Sequence, residues 1–303
     1  MILQILLTFL PILLVVAIFV IGISWYMARS SLVPTKTPKT ETPQDYHIAY
    51  EDFTVERDGI RLKAWFIPAP QELLRKTRKA PTIVLTHGWG RSAQQMLPYA
   101  QFLHKAGFHL ILYDVRGHGD SDPVEFVTIS RIVADLDSMI DYAVNRPEVD
   151  SRAVGLFGHS MGAAASILQA GRDSRVRAVA SSSGFADFAD LTTQMLRWRR
   201  LPAFPFRFLI QKFWEKRAGV ALSSVNPIEQ IKNVSVPVLL LHGDQDRVVT
   251  PDQLEKLFQN ANSAETYVIN GKNHSGLFED PIYREKVVAF FNQALKSEQA
   301  KTV

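Results

Sequence analysis

Residues 153–170 read AVGLFGHSMGAAASILQA. An apolar run rich in strand formers ends in Gly158-His159-Ser160-Met161-Gly162, and an alanine-rich stretch of helical character follows. The pentapeptide is G-x-S-x-G. Between a strand and a helix it predicts a nucleophile elbow, a turn so tight that small residues must flank the serine on both sides. Ser160 then sits at the tip, with its hydroxyl above the sheet and beside a helix N-terminus that favours developing negative charge.

Further apolar runs lie on both sides of this stretch: TIVLT (82–86), HLILYD (109–114), VRAVASS (176–182), VPVLLLHG (236–243) and ETYVIN (265–270). Their apolar residues do not alternate with polar ones, as suits strands buried on both faces. Stretches with helical spacing separate them at 93–106, 128–145, 161–171, 252–260 and 281–296. Strand and helix in alternation predict a mostly parallel sheet with helices on both sides. Before them, FTVER and RLKAWFI flank Asp58-Gly59 and predict a hairpin. One interval breaks the rhythm. Between Ser182 and Val236 lie about 50 residues, where a connection normally needs about 2–6. Residues 188–226 hold seven Lys/Arg, two acids and many aromatics. We read about 185–230 as a helical cap. It leaves the C-terminal end of a strand, the edge where open α/β sheets bind ligands.

A serine nucleophile needs oxyanion donors, a base and an orienting acid. His87-Gly88-Trp89-Gly90 follows the first core run, and its glycines leave the backbone accessible. The N–H groups of Trp89 and Met161 fit the oxyanion roles. His274 follows the last run and opens on the same sheet edge as the elbow, which makes it the expected base. Asp246, with Asp244 as the alternative, lies in the loop after the preceding run and is the expected acid. Asp114, Arg116, His118 and Asp120 read as loop-holding residues, and His159 and His242 as packing residues. His104 and His109 lack a third metal ligand. This chemistry needs neither cofactor nor metal.

HGWG, DVRGHGDSD, GHSMG, HGDQD and GKNH, in that order, resemble the α/β-hydrolase superfamily over about residues 50–296. Within it the chain is similar to the serine aminopeptidase S33-like and BEM46-like branch. The resemblance implies the α/β-hydrolase fold and the chain order serine, acid, histidine, which Ser160, Asp246 and His274 follow. It places the family's acid at Asp246. The implied activity is hydrolysis of an ester, thioester or amide through an acyl-enzyme. Two alternatives stay open: a non-catalytic binding protein of the same fold, and cofactor-free perhydrolysis or C–C hydrolysis on the same three residues.

The chain of 303 residues has 34 Lys+Arg, 30 Asp+Glu and 47% hydrophobic residues, which excludes a mostly disordered polymer. A net charge of +4 argues against nucleic acid as a partner. The absence of cysteine excludes disulfides and a thiolate nucleophile. Residues 1–28 carry no charged side chain, and Trp25 and Tyr26 stand near the end of the run. A span of this length predicts a single-pass membrane anchor. The competing reading is a signal peptide with a small-x-small site at Ala28-Arg29-Ser30, against which stand the length of the run and the lack of a preceding Lys or Arg. Arg29, Lys36 and Lys39 follow the span and favour a cytoplasmic hydrolase domain. Residues 29–50 contain Pro34, Pro38 and Pro43 and predict an extended tether before a domain over 51–298. In the cap, Trp198, Phe204, Phe206, Phe208, Phe213 and Trp214 interleave with basic residues. That pattern fits either a cap core or a lipid-facing surface.

Overall fold

The computed structural model describes residues 2–74 and 79–296. Met1 of the expected anchor and residues 75–78, 297 and 298 of the expected domain lie outside them. The chain opens with α1 (Ile2–Leu32), followed by the hairpin β1 (Glu51–Arg57) and β2 (Ile60–Ile67). The alternating part runs β3 (Ala80–Thr86), α2 (Leu97–Lys105), β4 (His109–Tyr113), α3 (Ile129–Val144), β5 (Val149–His159), α4 (Met161–Ala170) and β6 (Val176–Ser182). The cap contributes α5 (Phe188–Trp198), α6 (Phe206–Ala218) and the short α7 (Pro227–Gln230). β7 (Val238–Gly243), α8 (Asp252–Asn260), β8 (Ala264–Ile269) and α9 (Pro281–Phe291) complete the order.

The eight strands form one sheet in the order β1-β2-β4-β3-β5-β6-β7-β8. β1 and β2 pair antiparallel, as do β2 and β4, and every other pair is parallel. The mostly parallel sheet is the one the apolar runs predict, and the whole is the α/β-hydrolase fold that the resemblance implies. Ile83, Leu85 and Phe157 bury on one face with Leu97 and Leu103 of α2 and Val287 and Phe291 of α9. Val84 and Leu156 bury on the other with Ile132 and Leu136 of α3 and Ile167 of α4. The central strands are largely sealed on both sides, so their sequences have little polar alternation, whereas the edge strands β1 and β8 stay largely exposed.

Register positions the site. Thr86 at the end of β3 stands beside Gly158, His159 beside Ser182, and Gly243 beside Ile269. The loops after β3, β5, β6, β7 and β8 therefore leave from one edge.

The N-terminal segment departs from expectation. α1 continues past residue 28 to Leu32. Its last turns are not free: Ser24, Met27 and Ala28 are buried. Trp214 of α6 donates its indole N–H to the Ala28 carbonyl (3.2 Å) and the Ser31 hydroxyl (3.0 Å). The stretch expected to be an extended tether is instead tied down along much of its length. Val127 N–H donates to the Leu32 carbonyl (2.8 Å), Lys36 to the Ser121 carbonyl (3.2 Å) and Thr37 Oγ1 to the Gly90 carbonyl (2.7 Å). Lys39 lies between Asp114 (3.0 Å) and Asp120 (2.7 Å), over the ring of Trp65. Proline and threonine content reports backbone stiffness. It does not report that the interspersed lysines and hydroxyls find acceptors on the domain.

Candidate active site

Ser160 occupies a strained backbone position, φ +55° and ψ −115°, between the last residue of β5 and the first of α4. Such a conformation costs about 1–3 kcal/mol and persists only where its surroundings enforce it. Here they do. A Cβ on Gly158 would stand 2.2 Å from the Gly162 carbonyl oxygen, and one on Gly162 would stand 2.1 Å from that of Thr86. Strand and helix approach so closely that only glycine fits at either place. The turn aims Ser160 into a cavity of about 280 Å³.

The loop after β3 lies directly against the elbow. A Cβ on Gly88 would come within 3.3 Å of Ser160 Cβ, so this backbone borders the serine. Trp89 and Met161 both line the same cavity. Met161 opens α4, so its N–H has no acceptor inside the helix. His87 fastens the loop from below: Nδ1 donates to the Gly88 carbonyl (2.8 Å) and Nε2 accepts from Val115 N–H (3.1 Å). Burial, reinforced by the neighbouring His118, lowers the His87 imidazole to about 4.

Asp246 and His274 meet from two loops. His274 Nδ1 donates to Asp246 Oδ2 at 2.7 Å. That bond fixes the tautomer and leaves the Nε2 lone pair free of this partner. Asp246 is 3% exposed, and its other oxygen accepts from Val248 N–H (2.8 Å) and Val249 N–H (2.9 Å). His242 Nε2 donates to the Val249 carbonyl (2.8 Å) and lies 3.1 Å from Oδ2. Burial alone would raise this carboxyl. The hydrogen bonds from His242 and His274, the charge of His274 and the Val249 N–H outweigh it and hold Asp246 well below the usual carboxylate range. Asp244, the alternative acid, is exposed and accepts from Gly271 N–H (2.7 Å), so it braces a turn.

His159 joins the elbow to the histidine loop, donating from Nε2 to the His274 carbonyl at 2.8 Å. Among the described residues no hydrogen bond links Ser160 Oγ to His274. Asp114 accepts from Ala93 N–H (2.7 Å) and Asp120 N–H (2.9 Å), and Arg116 pairs with Asp135 and Asp58. Among the described residues, no group of three or more His, Asp or Glu side chains is arranged to hold a metal.

Sequence reasoning missed two contributors. His242 contacts the Asp246 carboxylate as well as packing. Ser31 and Leu32, at the end of α1, line the cavity that Ser160 faces. A signal for the second existed: Ser24, Ala28 and Ser31 recur at helical spacing on an otherwise bulky apolar helix, the small-residue pattern by which such helices pack closely.

Comparison with known proteins agrees with this architecture. The chain is 28% identical over 262 residues to the uncharacterized protein YfhR of Escherichia coli (strain K12), covering 84% of each. It is 26% identical over 226 residues to the alpha/beta hydrolase domain-containing protein WAV2 of Arabidopsis thaliana, covering 73% of this chain and 69% of that one. Among solved structures, the Pyrococcus furiosus esterase Pf2001 superposes with a TM-score of 0.69 at 20% identity, over 87% of this chain and 98% of that one. The profile described as serine aminopeptidase, S33, matches residues 77–219 and 224–281, spanning the elbow, the acid loop and His274. The chain belongs to the S33 serine aminopeptidase family of α/β-hydrolases.

Proposed function

We propose that this protein is a membrane-anchored serine hydrolase that cleaves acyl esters or thioesters through Ser160, His274 and Asp246. The observation that carries this reading is the strained Ser160 facing a cavity, with the His274–Asp246 pair at 2.7 Å on neighbouring loops of the same edge. His274 Nε2 takes the Ser160 proton as Oγ attacks the carbonyl carbon. The N–H groups of Trp89 and Met161 stabilise the resulting oxyanion, each such donor contributing about 10²–10³ in rate. Collapse breaks the bond to the leaving group, which takes the proton from His274. Water, deprotonated by the same imidazole, then releases the acid and restores Ser160.

The cavity lining favours an acyl ester over a peptide. It is mostly apolar, with Ile129, Ile132, Phe188, Leu191 and Met195 among its walls, and among the described residues no Asp or Glu lines it. A site for a free peptide amino terminus calls for a carboxylate to face the ammonium. The membrane anchor is supported by Phe9–Leu32, 24 residues long and apolar enough to cross a bilayer. Its retention is supported by its docking: removal of α1 would strip the Trp214 indole N–H of both acceptors and uncover the face of α6 against which Ala28 is buried. Arg29 in the last turn of the span, with Lys36 and Lys39 after it, favours the cytoplasmic side for the hydrolase domain.

Turnover of p-nitrophenyl esters of graded acyl length, set against aminoacyl p-nitroanilides, tests this. Ester hydrolysis that disappears in Ser160→Ala is expected. Cleavage of the anilides alone would return the assignment to a peptidase, and no turnover of either class would favour a binding protein.

A further inference from the structure

The cavity at Ser160 is not built by the hydrolase domain alone. Ser31 and Leu32, the last two residues of α1, form part of its wall, beside Trp198 and Trp214 of the cap. The junction is held by the two hydrogen bonds from Trp214 and by the Val127 N–H bond to the Leu32 carbonyl. Leu32 also lines a second cavity of about 350 Å³, walled by Trp25 and Phe213 and by the charged Arg29, Glu125, Lys216 and Arg217. Among the described lining residues, Leu32 is shared by this cavity and the one at Ser160.

The outer surface beside it is equally unusual. Trp198 lines the cavity yet is 55% exposed, and Phe208 and Phe204 are 55% and 81% exposed. Arg197, Arg199, Arg200 and Arg207 lie exposed among them. Exposed aromatics interleaved with arginines suit the headgroup boundary of an anionic bilayer. The fixed junction with α1 holds this surface at the helix's membrane exit. A free tether would not.

We propose that the end of the membrane helix is a wall of the acyl pocket, and that the substrate is an acyl ester of a bilayer-resident amphiphile whose chain enters beside α1 and Trp198. The proposal rests on the serine hydrolase reading above and names its substrate class. At about 280 Å³ the cavity is near the lower end of ordinary ligand sites, about 300–1,000 Å³. It encloses the part of the chain next to the carbonyl, and the remainder lies along the apolar helix.

The test uses the full chain in nanodiscs of mixed neutral and anionic phospholipid. In one arm, kcat/KM is measured for p-nitrophenyl acetate and p-nitrophenyl decanoate with wild type, Leu32→Trp and Trp198→Ala. The decanoate-to-acetate ratio should fall about tenfold or more in Leu32→Trp, as expected when a pocket loses room for several methylenes, and should shift in Trp198→Ala. In the other arm, p-nitrophenyl myristate is placed either in the same discs as the enzyme or in separate vesicles. Hydrolysis should be at least about tenfold faster in the shared discs. If Leu32→Trp does not fold, Leu32→Phe and Trp198→Ala carry the first arm. An unchanged ratio in folded variants overturns the pocket wall, and equal rates from shared and separate bilayers overturn the lipid source. Absence of wild-type turnover on every ester overturns the hydrolase reading itself, a result distinct from both.

Discussion

The reactive edge of the sheet and the assembly of cap with α1 are held by different forces. At the edge, position is set by backbone. Contacts that leave no room for a Cβ at Gly158 and Gly162 fix the elbow, and two N–H groups and the His274 imidazole grip one Asp246 carboxylate. In the cap assembly, position is set by side chains: Trp214 on α1, with Phe206, Ile210 and Leu196 packed beneath it. The first arrangement tolerates almost no change, and the second is adjustable. Chemistry on a rigid frame, with selectivity on a separately fastened cover, lets one fold serve many substrates.

The contrast can be broken most sharply at the acid. Asp246→Asn should reverse the hydrogen-bonding demand on His274 Nδ1 and lower kcat by about 10⁴-fold. Asp244→Asn, altering only a turn, should stay within about tenfold. Steady-state rates on one ester decide between the two carboxylates, and equal losses would remove the distinction drawn from their hydrogen bonds.

Gly162→Ala tests the frame. With Thr86 O only 2.1 Å from the new Cβ, a loss of more than about 4 kcal/mol or failure to fold is expected. Thermal unfolding within a few degrees of wild type would show that strand and helix can part.

Next comes pH. Val115 N–H donates to His87 Nε2, so protonating that nitrogen sets two donors face to face. The buried imidazole is lowered to about 4, against about 6.5 in the unfolded chain. Between these values the unfolded state binds a proton that the native state refuses. The stabilisation from neutral His87 is therefore complete above pH 6.5 and is lost as pH falls towards 4, by about 3 kcal/mol. Denaturant unfolding from pH 7 to 4.5 should show the decline, and a flat profile would contradict a neutral buried His87.

The smallest effect belongs to the adjustable region. Trp214→Phe removes the donor to Ala28 and Ser31, at about 1–2 kcal/mol. Hydrogen exchange should quicken at the end of α1 and in α6 while β5 and α4 keep their protection. Uniform quickening would mean that cap and frame unfold as one unit.

The sequence carried these two regions unequally. The β5 run, the elbow and the α4 stretch are legible because local pattern and tertiary role coincide. His274 and Asp246 were reachable because topology sends the loops after β7 and β8 to the elbow's edge. The docking of α1 was not read. An apolar helix of 31 residues looks the same whether its end is free or clasped, and only the Ser24, Ala28, Ser31 spacing marked the clasped face. The strap over 33–40 was equally hidden, since Lys39 declares its charge but not Asp114 and Asp120 waiting opposite. Long-range side-chain pairs of this kind leave no local period to detect.

Activation of Ser160 by His274 has a direct chemical readout. Treat the full chain with a fluorophosphonate and locate the adduct by peptide mass spectrometry, in wild type, Ser160→Ala and His274→Ala. We expect one adduct on Ser160, none in Ser160→Ala, and labelling slowed by about 10³-fold or more in His274→Ala. An adduct elsewhere, or undiminished labelling of folded His274→Ala, would contradict the account.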